Sequence, residues 1–149
     1  MFKIMLALHL LFAIFAVGPL IHAATTAGRG VRRGDGTATA SSSRMVKIYS
    51  YASLLVIIFG FGLMSSKSAY THKEVAKFSE PWIWISALLW LVAVALALGV
   101  IAPTLEKATA LIGKQESVAP LTARIAAAGG VVGIAFAVIV FLMVYQPGK

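Results

Sequence analysis

Residues 81–105 read PWIWISALLWLVAVALALGVIAPTL, twenty-five consecutive positions without a charged side chain. Three more uncharged runs lie at 4–28, 48–66 and 125–148. A helix of about 20 apolar residues crosses a hydrocarbon core about 30 Å thick, and each run offers that length. Backbone amides in hydrocarbon must be hydrogen-bonded internally, and uninterrupted apolarity does not fit the alternation of barrel strands. The sequence therefore predicts an all-α integral membrane protein, a bundle of four transmembrane helices.

The composition excludes the soluble, fibrous and disordered classes. Of the 149 residues 60% are hydrophobic and 12% are charged, about half the charge of a soluble domain. The chain has no cysteine, which excludes disulfides, thiolate nucleophiles and cysteine-ligated metal. The formal charge of +8 favours anionic lipid headgroups over nucleic acid as partners of a membrane protein. We predict a single membrane domain over residues 1–149.

Proline and glycine positions set the expected helix limits. The four helices are expected at about 2–25, 46–66, 81–103 and 121–145. Pro19 lies inside the first of them and predicts a kink, because it removes one backbone hydrogen bond. Apolar residues at helical spacing predict that the third helix continues beyond Pro103 to about Gly113.

The first loop, about 27–43, is rich in Gly, Ala, Thr and Ser. This composition buries little apolar surface, so the sequence predicts a flexible basic loop. Three arginines at its start, Arg29, Arg32 and Arg33, are candidates for binding an anionic lipid such as cardiolipin. The alternative is that these arginines only fix the membrane topology.

The distribution of basic residues predicts the orientation. Four spans place both termini and the middle loop on one side, with five Lys and Arg residues, and the first and third loops on the other side, with eight. Because basic residues are retained in the cytoplasm, we expect a multi-pass protein of the bacterial plasma membrane with loops 1 and 3 cytoplasmic and both termini outside.

The uncharged runs offer little catalytic chemistry. Proton relays and ion pathways depend on ionisable groups inside the membrane, and the runs contain no Asp, Glu, Lys or Arg. We therefore predict no catalytic residues, no metal ligands and no cofactor. His9 is the one candidate for a haem or metal ligand. The favoured interpretation is a hydrogen bond from its imidazole to Ser53, to Ser86 or to a backbone carbonyl of a neighbouring helix.

Small residues at a spacing of four mark candidate helix-packing positions, because close backbone approach drives helix association in lipid. These positions are Ala95 and Gly99 on the third helix, and Ala126, Gly129, Gly130 and Gly133 on the fourth. The pattern of small residues supports two roles equally: packing within this bundle, and docking to a helix of another protein.

Three segments carry a resemblance: Leu8-His9-Leu10, Pro81-Trp82-Ile83, and the stretch from Arg124 through Gly129 to Leu142-Met143-Val144-Tyr145-Gln146-Pro147-Gly148. Together they resemble a family of small, four-helix predicted bacterial integral membrane proteins of unassigned activity. The chain also resembles actinobacterial accessory factors of the respiratory supercomplex formed by cytochrome bc complex and cytochrome oxidase. That resemblance implies a peripheral subunit of electron transport without a redox centre of its own.

We therefore expect a non-catalytic accessory or assembly subunit packed against other integral membrane subunits, with the respiratory supercomplex as the implied partner. The alternative is a haem- or quinone-handling membrane oxidoreductase that uses His9. A third possibility, a small-solute permease, would have to function without charged relays.

Overall fold

A computed structural model describes residues 1–148, and these residues form an all-helical bundle. Four helices are long and apolar enough to cross a membrane: α1, Phe2–Arg32; α2, Gly36–Met64; α3, Pro81–Gly113; and α4, Ala119–Tyr145. The structure thus confirms the predicted fold class and the extension of the third helix to Gly113. We call the end with the 33–35 turn and the 114–118 loop the basic end, and the opposite end the terminal end.

The helices are longer than a bilayer requires. With 31 residues, α1 is about 46 Å long, whereas the hydrocarbon core is about 30 Å thick. The apolar residues of α1 lie toward the terminal end and its polar residues toward the basic end. The basic ends of the helices are therefore expected to project into the headgroup layer and beyond it.

The predicted flexible loop at about 27–43 is wrong, because this segment forms the end of α1 and the start of α2. A turn at 33–35 joins the two helices, with Gly34 at φ +62°. The Asp35 carboxylate caps α2 by accepting a hydrogen bond from the Ala38 backbone N–H at 3.0 Å.

Small side chains explain why this segment is ordered. A Cβ atom built on Gly30 would lie 3.2 Å from the Ala38 Cβ, so the two backbones approach closely. Ala27, Val31 and Thr39 are almost completely buried. The composition that suggested disorder in water is the composition that packs helices tightly.

A π-helical turn precedes both Pro19, where a kink was predicted, and Pro103, where no irregularity was predicted. In α1 the π turn covers Ala13–Val17, two residues before Pro19, and in α3 it covers Ala97–Ile101, two residues before Pro103. Proline has no N–H to donate to the carbonyl four residues earlier. A π turn shifts the hydrogen bonds by one residue and gives the freed carbonyls new donors.

The core is densest toward the basic end. There the second half of α1 packs against α4 and against the first half of α2, which in turn packs against the end of α3. Toward the terminal end the closest approaches are between α1 and α2 and between α3 and α4. Phe12 of α1 stacks on Phe59 of α2 there, with ring centroids 5.4 Å apart.

Candidate functional site

The structure divides the predicted helix-packing residues into two groups. Gly129 is buried, and a Cβ atom built on it would lie 2.3 Å from the Ala24 carbonyl oxygen of α1. A Cβ atom on Gly133 would lie 3.3 Å from the Thr25 side chain of the same helix. These two glycines therefore form the contact between α4 and α1.

The remaining four predicted positions face away from the bundle. Ala126 and Gly130 are exposed on α4, and Ala95 and Gly99 are exposed on α3. A Cβ atom built on Gly130 or on Gly99 meets nothing within 4 Å among the described residues. We call Ala126 and Gly130 the small-residue face of α4.

His9 makes one of the contacts that the sequence predicts for it. Its Nδ1 lies 2.9 Å from the Val56 carbonyl oxygen of α2. Because a carbonyl only accepts hydrogen bonds, Nδ1 is the donor in this contact. Gly60 makes room for the ring, since a Cβ atom there would lie 3.2 Å from the His9 Cε1.

The other polar groups considered as partners of His9 lie elsewhere. Ser53 donates to the Ser50 carbonyl at 2.7 Å and accepts from the Trp90 Nε1 at 3.0 Å. The Ser86 hydroxyl is buried and has no partner within residues 1–148. His22 is exposed and lies about 20 Å along α1 from His9, so the two imidazoles do not share a site.

A polar contact between α2 and α3 near the basic end was not predicted. We call it the polar seam: Thr39, Ser43 and Lys47 of α2 with Glu106 and Thr109 of α3. The two threonine hydroxyls are 2.7 Å apart, Ser43 donates to the Ala102 carbonyl at 3.3 Å and to Glu106 at 3.4 Å, and Lys47 forms an ion pair with Glu106. The signal was present, because residues spaced by four share one helix face. Thr39 and Ser43, however, lay in the segment 27–43 that was interpreted as a loop, so their alignment with Lys47 was missed.

The three predicted lipid-binding arginines are all exposed at the end of α1. None of them has an acidic partner within ion-pair distance among the described residues. Arg32 and Arg33 line a shallow groove together with Glu116, Ser117 and Thr122 near the start of α4. The geometry leaves these guanidinium groups available to anions, and no anion-specific contact distinguishes them.

The described residues offer few ligands for a metal ion. Within residues 1–148 no group of three or more His, Asp or Glu side chains is placed to hold a metal ion. His9 is therefore a possible ligand only for a group that brings its other ligands with it.

Four membrane-crossing helices without strands in the described part of the chain define a polytopic integral membrane protein. Residues 3–147 match the family described as "Predicted integral membrane protein (DUF2269)", and the chain belongs to this family. No curated protein and no solved structure matches the chain. The family match supports the general resemblance seen in the sequence and does not extend to respiratory supercomplex factors.

Proposed function

We propose that the protein is a non-catalytic accessory or assembly subunit that packs against a larger membrane protein complex. The observation that carries this proposal is the small-residue face of α4, where Ala126 and Gly130 are exposed and Gly130 has open space in front of it. Lipid chains gain little from a glycine, whereas a helix from another subunit gains close backbone contact.

Large apolar side chains continue this outward face toward the terminal end. Ile134 and Phe141 of α4 are 67% and 62% exposed, and they follow Gly130 at spacings of four and eleven residues. The small-residue face and the large apolar side chains beside it together fit a partner helix that crosses α4 near Gly130. Contact with lipid alone would account for the exposed large apolar side chains but not for the small-residue face.

The proposed partner is the respiratory supercomplex of cytochrome bc complex and cytochrome oxidase in a bacterial plasma membrane. The support is the resemblance of the sequence to its accessory factors. The proposal includes cytoplasmic loops 1 and 3, and anionic lipid such as cardiolipin at Arg29, Arg32 and Arg33, where exposed guanidinium groups lie close to the headgroup layer.

Gentle solubilisation of native membranes, followed by purification through a C-terminal tag and mass spectrometry, tests this function. We expect respiratory subunits to co-purify with the wild-type protein. Gly130→Leu places a branched side chain on the small-residue face and should reduce co-purification. Ala7→Leu, which introduces the same leucine side chain at an exposed position of α1, is the matched control. Recovery of the protein alone, or equal recovery of partners with both variants, would contradict the proposal.

A haem- or quinone-handling oxidoreductase is the second candidate. The hydrogen bond from His9 Nδ1 to the Val56 carbonyl favours it, because metal-ligating histidines commonly donate their second ring N–H to a carbonyl. An absorption spectrum of the purified protein tests the haem version. A Soret band that disappears in His9→Ala would support it, whereas a featureless visible spectrum in the haem-supplemented protein would exclude it.

A further inference from the structure

A groove of about 460 Å³ runs along the outer side of the polar seam. Its charged lining residues are Arg44, Lys47 and Glu106, and Ile48 forms its apolar side. It is separate from the groove beside Arg32 and Arg33, which lies between α1 and the start of α4.

The sequence places this groove at the boundary of the hydrocarbon core. Lys47 directly precedes the uncharged run 48–66, and Glu106 directly follows the uncharged run 81–105. Both helices thus leave their apolar segments at the groove. Ile48 and Tyr51, which are 55% and 62% exposed, continue its surface into the apolar region along α2.

Among the described residues, the groove contains one cation without an ion-pair partner and one carboxylate with only one of its two oxygens in hydrogen bonds. Arg44 is exposed, and no acidic group among the described residues lies within ion-pair distance of it. The Glu106 side chain accepts from Lys47 and from Ser43, and both bonds end on its Oε1 atom. The Oε2 atom therefore remains available to a further donor within the groove.

We propose that this groove binds the headgroup of an aminophospholipid, with the phosphate on the Arg44 guanidinium and the ammonium on the Glu106 carboxylate. A guanidinium binds phosphate through two parallel N–H donors, and a primary ammonium donates to a carboxylate. The acyl chains follow Ile48 and Tyr51 along α2. The proposal concerns the isolated protein and does not rest on the proposed subunit function.

The two charges discriminate among the common phospholipids. Phosphatidylglycerol has the phosphate but no ammonium, so it offers no cationic donor to the Oε2 atom of Glu106. Phosphatidylcholine has both charges, but its quaternary ammonium has no N–H to donate to Glu106. Phosphatidylethanolamine satisfies both side chains.

Native mass spectrometry of the purified full-length protein tests the proposal, with equimolar dioleoyl phosphatidylethanolamine, phosphatidylcholine and phosphatidylglycerol as probes. We expect the wild-type protein to retain phosphatidylethanolamine about 1.4- to fivefold over each of the other two lipids, the range that exposed charge pairs give. Arg44→Gln should abolish this preference. Glu106→Gln should raise retention of phosphatidylglycerol to the level of phosphatidylethanolamine.

Arg124→Gln changes an exposed arginine at the same end of the bundle, outside the groove and outside the proposed anionic-lipid arginines; it is the matched control and should behave as wild type. Melting temperatures establish that each variant is folded. If Glu106→Gln is unstable, because it also weakens the bonds of Lys47 and Ser43, the comparison of Arg44→Gln with Arg124→Gln is sufficient to test the proposal. Equal retention of the three lipids by the wild type, or identical behaviour of the two arginine variants, would overturn the proposal.

Discussion

Gly129→Ala adds one methyl group at the closest contact between α4 and α1. The new Cβ atom would lie 2.3 Å from the Ala24 carbonyl oxygen and 3.1 Å from its carbonyl carbon. These atoms belong to backbone, so the collision cannot be relieved by a side-chain rotation, and the two helices must separate locally. Overpacking of this kind costs about 1–3 kcal/mol of unfolding free energy. The better helix propensity of alanine offsets at most about 1 kcal/mol of that cost.

Gly130→Ala is the matched control, because it makes the same chemical change one residue further along α4. A Cβ atom there meets nothing within 4 Å in the described part of the chain, so this variant should be as stable as wild type or slightly more stable. Thermal unfolding of both variants in the same detergent measures the difference. The propensity gain is common to both variants, so at about 3 °C per kcal/mol for a chain of this size we expect Gly129→Ala to melt about 3–9 °C below Gly130→Ala. Equal melting temperatures would refute the assigned α1–α4 contact.

Three further predictions address the individual contacts. Asp35→Ala removes the cap of α2 and should lower stability by about 1 kcal/mol, with faster amide hydrogen exchange at the start of α2 as the local readout; unchanged exchange there would argue against the cap. A double-mutant cycle with Thr39→Val and Thr109→Val should give a coupling energy of about 0.6–1.7 kcal/mol, and a coupling near zero would mean that the two hydroxyls are not bonded. His9→Phe keeps an aromatic ring of similar size but removes the bond to the Val56 carbonyl, and should cost about 1 kcal/mol in SDS-induced unfolding; wild-type stability would show that the ring contributes by packing alone.

Much of the fold could be predicted from the sequence, because each span carries its own signal. A run of uncharged residues must form a helix in hydrocarbon wherever it ends up in the bundle. Pro19 gives another local signal, and a π turn lies two residues before it at Ala13–Val17. The extension of α3 to Gly113 followed from apolar spacing within the segment itself.

The segment 27–43 shows where local reasoning fails. Its composition predicts disorder in isolation, but the structure surrounds it with other helices. Thr39 contacts Thr109, which lies 70 residues further along the chain and comes close only when the bundle forms. Helical order there depends on neighbours that composition does not reveal.

The sequence by itself determined that this chain has four membrane-crossing helices, since hydrocarbon thickness and backbone hydrogen bonding act on each segment separately. Only the tertiary structure decided which small residues pack inside and which face outward. Gly129 and Gly130 are neighbours of identical chemistry, yet one contacts Ala24 and the other meets open space. Successive residues on a helix point about 100° apart, so the choice depends on where α1 lies beside α4, and the sequence pattern does not specify that placement.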